Sequence, residues 1–486
     1  MVGHPRVNSR ARLNIYIWLL VLVTAGLTVL FAWLVTTPMR YNYFLAPLLI
    51  SSAVALGLAV SRPLWLFPLI GATSIVIIAL PLGRANIIPA DIFVLCVLLA
   101  WFGSRDRQHW PVEGKRLLLP FVLLIGISLV TLTYSQDQAF GTVKLIQLSE
   151  YFLVFLLTTS MLREPRWIGY TFLAYVCSCL VFAVAAIIDV IVNGIHSNGV
   201  YLLFLHKNGL GLFLLMALAI VTAMLLYRQD LSPRQRTYWI ATWAVILVAT
   251  ILSGSRGAWL GYIVAVILLV LPKGAAYVMR VAAVMLLALI VANVALPQEL
   301  LRTNEIAPAL QQDSSYVKGG SIFVRVVIWR DALGIIAAHP LTGLGVGGYV
   351  SYDTYQGNAL DFNSGDPHNM ILYEWAELGT IGLVIFLWFI GAILRVSWQA
   401  FTRAGDGETR WLGGAILATL AGYLTMSLTE PFWTRGNGLF FFLLIGVAVN
   451  LISLQPRPSA ALGVSAAGRR PLLAAHTDTN TVAPHL

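Results

Sequence analysis

Apolar runs of about 20 residues recur along this chain, the length a helix needs to cross the hydrocarbon of a bilayer. Candidate spans lie near 13–36, 43–60, 63–82, 87–103, 117–134, 143–162, 167–193, 205–227, 237–253, 257–272, 275–296, 368–394, 411–428 and 437–454. That makes fourteen, or twelve if two of the runs broken by Pro and Gly re-enter the membrane or lie flat. The runs are continuous rather than alternating, which argues against a transmembrane β-barrel. Only 11% of residues are charged, against about 25% in a soluble domain. The expectation is an all-α polytopic membrane protein: one membrane domain over 1–454 and a disordered tail over 455–486, rich in Ala, Pro, Thr and Arg. The first run lacks a small-residue cleavage site and reads as a retained helix. Cys96, Cys177 and Cys179 fall inside spans and read as packing residues, with no disulfide or metal site.

The net charge of +10 sits mostly in short loops between spans, which is not the footprint of a nucleic-acid binder. Threading the chain from an inside N-terminus puts 21 of the 31 Lys and Arg on one face. Arg6, Arg10, Arg12, Arg105, Arg107, Lys115, Arg116, Arg228, Arg234, Arg236, Arg395, Arg403 and Arg410 lie there. The positive-inside bias makes that face cytoplasmic, with both termini. The long loop 297–366 and the residues just beyond it then face outward.

The ten outward cations are Arg40, Arg84, Lys144, Lys207, Arg256, Arg302, Lys318, Arg325, Arg330 and Arg435. Asp91, Glu150 and Asp189 fall toward outer span ends, and ionisable groups at membrane depth usually mark a site or a pair. This outer bias fits a cavity open to the outside better than a transporter with polar groups at the midplane. Arg40, Arg84 and Arg435 read first as headgroup contacts. Arg256 sits between glycines in Ser253-Gly254-Ser255-Arg256-Gly257, a turn whose amides and guanidinium suit an anion. Lys207, in His206-Lys207-Asn208-Gly209, fits a surface or a site role equally; His206 and His339 read as structural. Residues 321–340 look like a helix lying on the membrane or folded over the cavity. On such a helix Arg325 and Arg330 point about 140° apart and do not share a site. Gly343, Gly345, Gly347 and Gly348 follow no strand and read as a flexible turn rather than a phosphate loop. Glu374 and Glu377 are either buried with partners or partly lipid-facing.

The richest junction is Asp366-Pro367-His368-Asn369, where the long outward loop meets a span. Pro367 suits the first helical position and Asp366 the cap. His368 would then lie in the first turn, where the helix dipole disfavours imidazolium and leaves a neutral proton acceptor. No outward D-x-D or paired-carboxylate motif supports a divalent metal, and no Walker lysine motif supports a nucleotide. No cofactor is expected. A reaction here needs a donor that carries its own leaving group, and pooled cations fit a pyrophosphate.

His368-Asn369, nine residues, then Gly379-Thr380-Ile381-Gly382 resembles the H-N-x9-G-x-x-G motif of bacterial O-antigen ligases, within the ligase/polymerase superfamily. HKNGLG at 206–211, SGSRGAW at 253–259 and RVVIWRDAL…HPLTGLGVGGY at 325–349 resemble that family in order and spacing, so the likeness covers roughly 200–395. The resemblance implies a membrane glycosyltransferase of the GT-C type. Such an enzyme moves a glycan from undecaprenyl pyrophosphate to a lipid A–core acceptor at the periplasmic face of the bacterial inner membrane, without metal and with inversion. It implies that His368 is the essential histidine and Arg256 and Arg325 the essential arginines, with Lys207 assisting at the pyrophosphate. Asn369, Arg330, Asp366 and Arg84 are possible supporting residues. A polymerase or a protein O-oligosaccharyltransferase is the alternative within this likeness, and a lipid-linked sugar transporter the alternative outside it.

Overall fold

A computed structural model of the chain describes residues 56–58, 61–76, 80–82, 85–103, 112–194, 206–295, 321–351, 366–405, 407–430 and 436–454. The spans expected at 13–36 and, but for three residues, 43–60, together with the tail 455–486, lie outside the described residues, as do Arg84 and Arg435.

The described chain is helical, as backbone in hydrocarbon must be when it has only itself to hydrogen-bond. In order come α1 (Leu66–Thr73), α2 (Pro89–Gly103), α3 (Val112–Leu132), α4 (Gln138–Met161), α5 (Pro165–Asn193), α6 (Lys207–Tyr227) and α7 (Pro233–Leu252). There follow α8 (Arg256–Val270), α9 (Ala275–Ala295), α10 (Ser321–Ala338), α11 (Met370–Thr402), α12 (Glu408–Met426) and α13 (Asn437–Leu454). Eight of the described helices are long and apolar enough to cross a membrane, and the protein is an all-α polytopic membrane protein. The chain signals its helix starts locally. Asp137 caps α4 by accepting from the Phe140 amide, and Ser232 with Gln235 forms a capping box before Pro233 at the start of α7.

Four expected spans, 63–82, 87–103, 275–296 and 411–428, are not among those eight helices. Residues 63–82 divide into α1 and the first strand of a short antiparallel hairpin, β1 (Leu80–Leu82) paired with β2 (Ala85–Ile87). Pro81 lies within β1, in a run that hydropathy alone reads as continuous. Glu150 falls at the middle of α4 rather than near its outer end. Cys96 and Cys179 are buried as expected, whereas Cys177 is exposed on α5.

Three helices form the centre. Most residues of α6, α12 and α13 are buried, and a helix apolar all round is one surrounded by other helices. Small residues let them meet. A Cβ on Gly261 of α8 would lie 2.6 Å from the Gly422 carbonyl of α12, so this crossing admits only glycine. Aromatic rings fill the remaining space: Tyr175 stacks on Phe440 at 3.8 Å, and Tyr151 on Phe442 at 5.1 Å. Asn450, buried on α13, donates to the carbonyls of Thr158 and Leu162, which closes the C-terminal end of α4.

Candidate active site at the start of α11

The site forms where several helix ends meet on one face. α6 starts at Lys207, α8 at Arg256 and α11 at Met370, while α12 ends at Met426. The Met370 amide donates to the Ser427 carbonyl at 2.9 Å, tying the start of α11 to the end of α12. A Cβ on Gly257 would meet the Thr429 hydroxyl at 2.8 Å, so the start of α8 is pressed against the same segment. The indole Nε1 of Trp329 donates to the Pro367 carbonyl at 2.9 Å, which locks α10 onto the turn before α11.

That turn differs from its expected form. Asn369, not Asp366, is the cap: its side chain accepts from the amides of Ile371 and Leu372, and the helix begins at Met370 rather than Pro367. Asn satisfies two orphan amides here, which outweighs the preference of Pro for a helix start. His368 therefore stands just before the helix, outside its first turn. Its φ is +49°, the one left-handed non-glycine residue in the described backbone. Asp366 holds that conformation by accepting from the His368 amide.

The hub is Glu430, which the sequence reading did not single out. Its Oε1 takes the Arg325 Nη2 at 2.6 Å and also accepts from the Asn208 side-chain amide. Its Oε2 lies 3.7 Å from the His368 Nδ1. That separation is too long for a hydrogen bond, and the buried Nδ1 has no hydrogen-bond partner among the described residues. A charge-balance argument would have found Glu430. It is the one carboxylate in the short outward segment after Met426, facing a site rich in cations.

Protonation follows from this crowding. Burial, with the Arg325 guanidinium and His206 nearby, pushes the His368 imidazole down to about 4. The neutral form is thus the one present at neutral pH, as the helix-dipole argument expected but through desolvation and cations. Burial pushes Glu430 up to about 7 against the pull of Arg325, and Asp366 up to about 6. His206 is also lowered, by burial and then by Lys207 and Arg325. It caps α6, with its Nδ1 accepting from the Asn208 amide, in keeping with the structural reading.

The other candidates divide. Lys207 opens α6 and acts on Glu430, so it belongs to the cluster. Arg256 is the first residue of α8, half-buried where that helix meets the end of α12. Arg325 and Arg330 separate as their helical phase requires: Arg325 is half-buried on Glu430 and Arg330 is exposed. α10 does not lie free on the membrane; Ala332, Ile335 and Ile336 pack with Tyr373 and Ala376 of α11. His339 follows the last turn of α10 with an exposed side chain.

Behind the turn, Glu374 and Glu377 are buried, not lipid-facing. Lys144 pairs with Glu377 at 2.8 Å and lies over the Tyr373 ring at 3.9 Å. They line a chamber of about 30 Å³ with Gln147 and Tyr151, room for two or three waters and nothing larger. The glycine segment beside it is also not a flexible turn. Gly343, Gly345 and Gly347 all have positive φ. The Leu344 and Gly345 amides donate to the carbonyls of Ala376 and Glu377 at 2.9 Å. Those carbonyls are free because α11 breaks its helical path at Gly379, φ +65°. The first glycine of the G-x-x-G element is therefore a kink whose orphaned carbonyls are capped by the 343–345 loop.

Residues 240–387 match the family model described as O-antigen ligase. The stretch begins in α7 and ends in α11; it takes in Arg256, Arg325 and His368 and leaves out Lys207 and Glu430. No curated protein matches the chain.

Proposed function

We propose that this chain, which residues 240–387 tie to the O-antigen ligase family, joins a glycan from undecaprenyl pyrophosphate to a hydroxyl of the lipid A–core acceptor. The family match supports an activity of the ligase/polymerase type on a lipid-linked glycan. The finer reading rests on one observation: a neutral histidine held in a strained turn, with a carboxylate at its Nδ1 and cations around both.

The acceptor oxygen attacks the anomeric carbon from the side opposite the leaving group. The bond from that carbon to the pyrophosphate oxygen breaks, and undecaprenyl pyrophosphate departs with the electron pair. The acceptor proton passes to the Nε2 of His368. Its Nδ1–H then faces Glu430, and a shift of under about 1 Å makes that contact a hydrogen bond, the kind of tightening expected on substrate binding. Arg325 spends Nη2 on Glu430, while its buried Nε has no hydrogen-bond partner among the described residues. That donor, with Arg256 and Lys207, serves the charge building on the leaving group. The site faces the periplasm in this reading, because the opposite face carries the excess of Lys and Arg.

The test is a reaction of purified protein, undecaprenyl-pyrophosphate glycan and core lipid. Glycan joined to the core lipid supports ligation. Glycan extended on its own carrier makes the protein a polymerase, and carrier moved between leaflets without transfer makes it a transporter.

A further inference from the structure

On the face opposite His368, a cavity of about 230 Å³ opens between α5, α6, α7 and the start of α12. It has room for some fifteen to twenty water-sized spheres, several times the chamber behind the active site. Its mouth carries Arg166, Arg228 and Glu408, and its wall is apolar, with Phe172, Val176 and Ile220 among the lining residues. Tyr170 and Leu173 at its edge are exposed on a spanning helix, so the cavity opens sideways toward lipid.

Two observations say that something polar enters. Trp411 lines the cavity and is 3% exposed, yet its indole Nε1–H has no hydrogen-bond partner among the described residues. A buried donor left unpaired is costly, so an acceptor is expected there. The two arginines are also available. Arg166 pairs with Glu164 and Arg228 with Asp230, at 2.6 Å and 2.9 Å, but both acids are more than half exposed. Such surface pairs are weak and exchange readily for a better anion. Arg228 also stands over the Trp411 ring at 5.8 Å.

We propose that this cavity is a binding site for one glycerophospholipid with a zwitterionic headgroup. Its phosphodiester lies between Arg166 and Arg228, an ester carbonyl or phosphate oxygen accepts from Trp411 Nε1, and an acyl chain runs along the apolar wall. Glu408 receives the headgroup ammonium. Among the lining residues, two cations and one carboxylate face one phosphate and one ammonium, and basic pockets between spans are known seats for lipid headgroups.

The test uses the full-length protein in detergent, with lipid binding read by native mass spectrometry and by melting temperature. Dioleoyl phosphatidylethanolamine binds and raises the melting temperature; dioleoylglycerol, which lacks the phosphate, and phosphoethanolamine, which lacks the chains, do not. Arg166→Ala with Arg228→Ala weakens binding at least about tenfold, and Trp411→Phe roughly threefold. Gly169→Phe blocks the cavity from within: Gly169 lines it, and a Cβ there lies at an ordinary 3.8 Å contact from Trp411. It abolishes binding while the melting temperature without lipid is retained. Equal binding of dioleoylglycerol, or unchanged binding in the double arginine variant, overturns the proposal. Equal binding of phosphatidylglycerol overturns the role of Glu408 and with it the zwitterionic headgroup.

Discussion

Arg325 Nη2 and Glu430 Oε1 lie 2.6 Å apart, joining α10 to the end of α12 across 105 residues of sequence. Both side chains are largely buried, and removing one partner strands the charge of the other. Arg325→Ala should lower glycan transfer about 10²–10³-fold, the usual cost of a lost transition-state donor. Glu430→Gln should lower it at least about tenfold, since the imidazolium formed on His368 loses its counter-charge. Arg330→Ala, exposed on another side of α10, should change the rate less than about twofold. Initial rates with purified donor and acceptor lipids check all three, and an equal loss at Arg330 would contradict the helical phase.

His368 combines a chemical role with a conformational cost. A non-glycine residue in the left-handed region carries roughly 1 kcal/mol of strain, and φ is +49° here. His368→Ala and His368→Gly should both lose about 10²–10⁴-fold in transfer with normal membrane insertion. They should differ in stability: the glycine variant melts at or above the wild-type temperature, the alanine variant below it. Identical melting of the two would mean that the turn is relaxed in solution.

Much of this site was legible in the residues, and the gaps have physical causes. His368, Arg256 and Arg325 stand in local patterns that carry their own spacing. Glu430 has no such pattern: its role exists only because α12 ends against the starts of α8 and α11, a contact 60 to 170 residues away in sequence. The Asp366-Pro367 start misled because cap preferences compete, and Asn369 accepts two amides where Asp366 is spent on His368. Hydropathy placed the long spans but merged α1 with β1, since an apolar hairpin and an apolar helix share a composition. The glycines at 343–348 looked free because close backbone packing leaves no trace in composition.

The pH response of the cluster is fixed by two opposed shifts. Glu430, raised from 4.5 to about 7, binds its proton more tightly when folded. Its contribution is fully present below 4.5 and is lost as pH rises through 7. His368, lowered from 6.5 to about 4, works the other way: its contribution is present above 6.5 and is lost as pH falls toward 4. Between about 4.5 and 6.5 the two largely cancel. Glu430→Gln removes one side of this balance, so its melting temperature relative to wild type should rise from pH 5 to pH 7. Transfer by the wild type should persist at pH 5.5, where an ordinary histidine is mostly protonated. An acid limb centred at 6.5 would remove His368 from the role of base.

Gly379 tests whether the kink in α11 matters. Its φ is +65°, and a Cβ there would overlap the Leu341 carbonyl, so neither the conformation nor the space admits a side chain. Gly379→Ala should straighten α11 or push the 340–345 loop away, freeing the amides of Leu344 and Gly345 from their carbonyls. The cost is on the order of 2–4 kcal/mol, from strain plus stranded backbone groups. Because α10 ends in that loop, the position of Arg325 should loosen too, and transfer should fall with stability. Gly391→Ala is the matched control: it lies on the same helix with nothing within 4 Å of its added Cβ, and it should leave transfer unchanged and stability unchanged or slightly raised. Loss of stability at Gly391 equal to that at Gly379 would assign the effect to helix composition rather than to the kink.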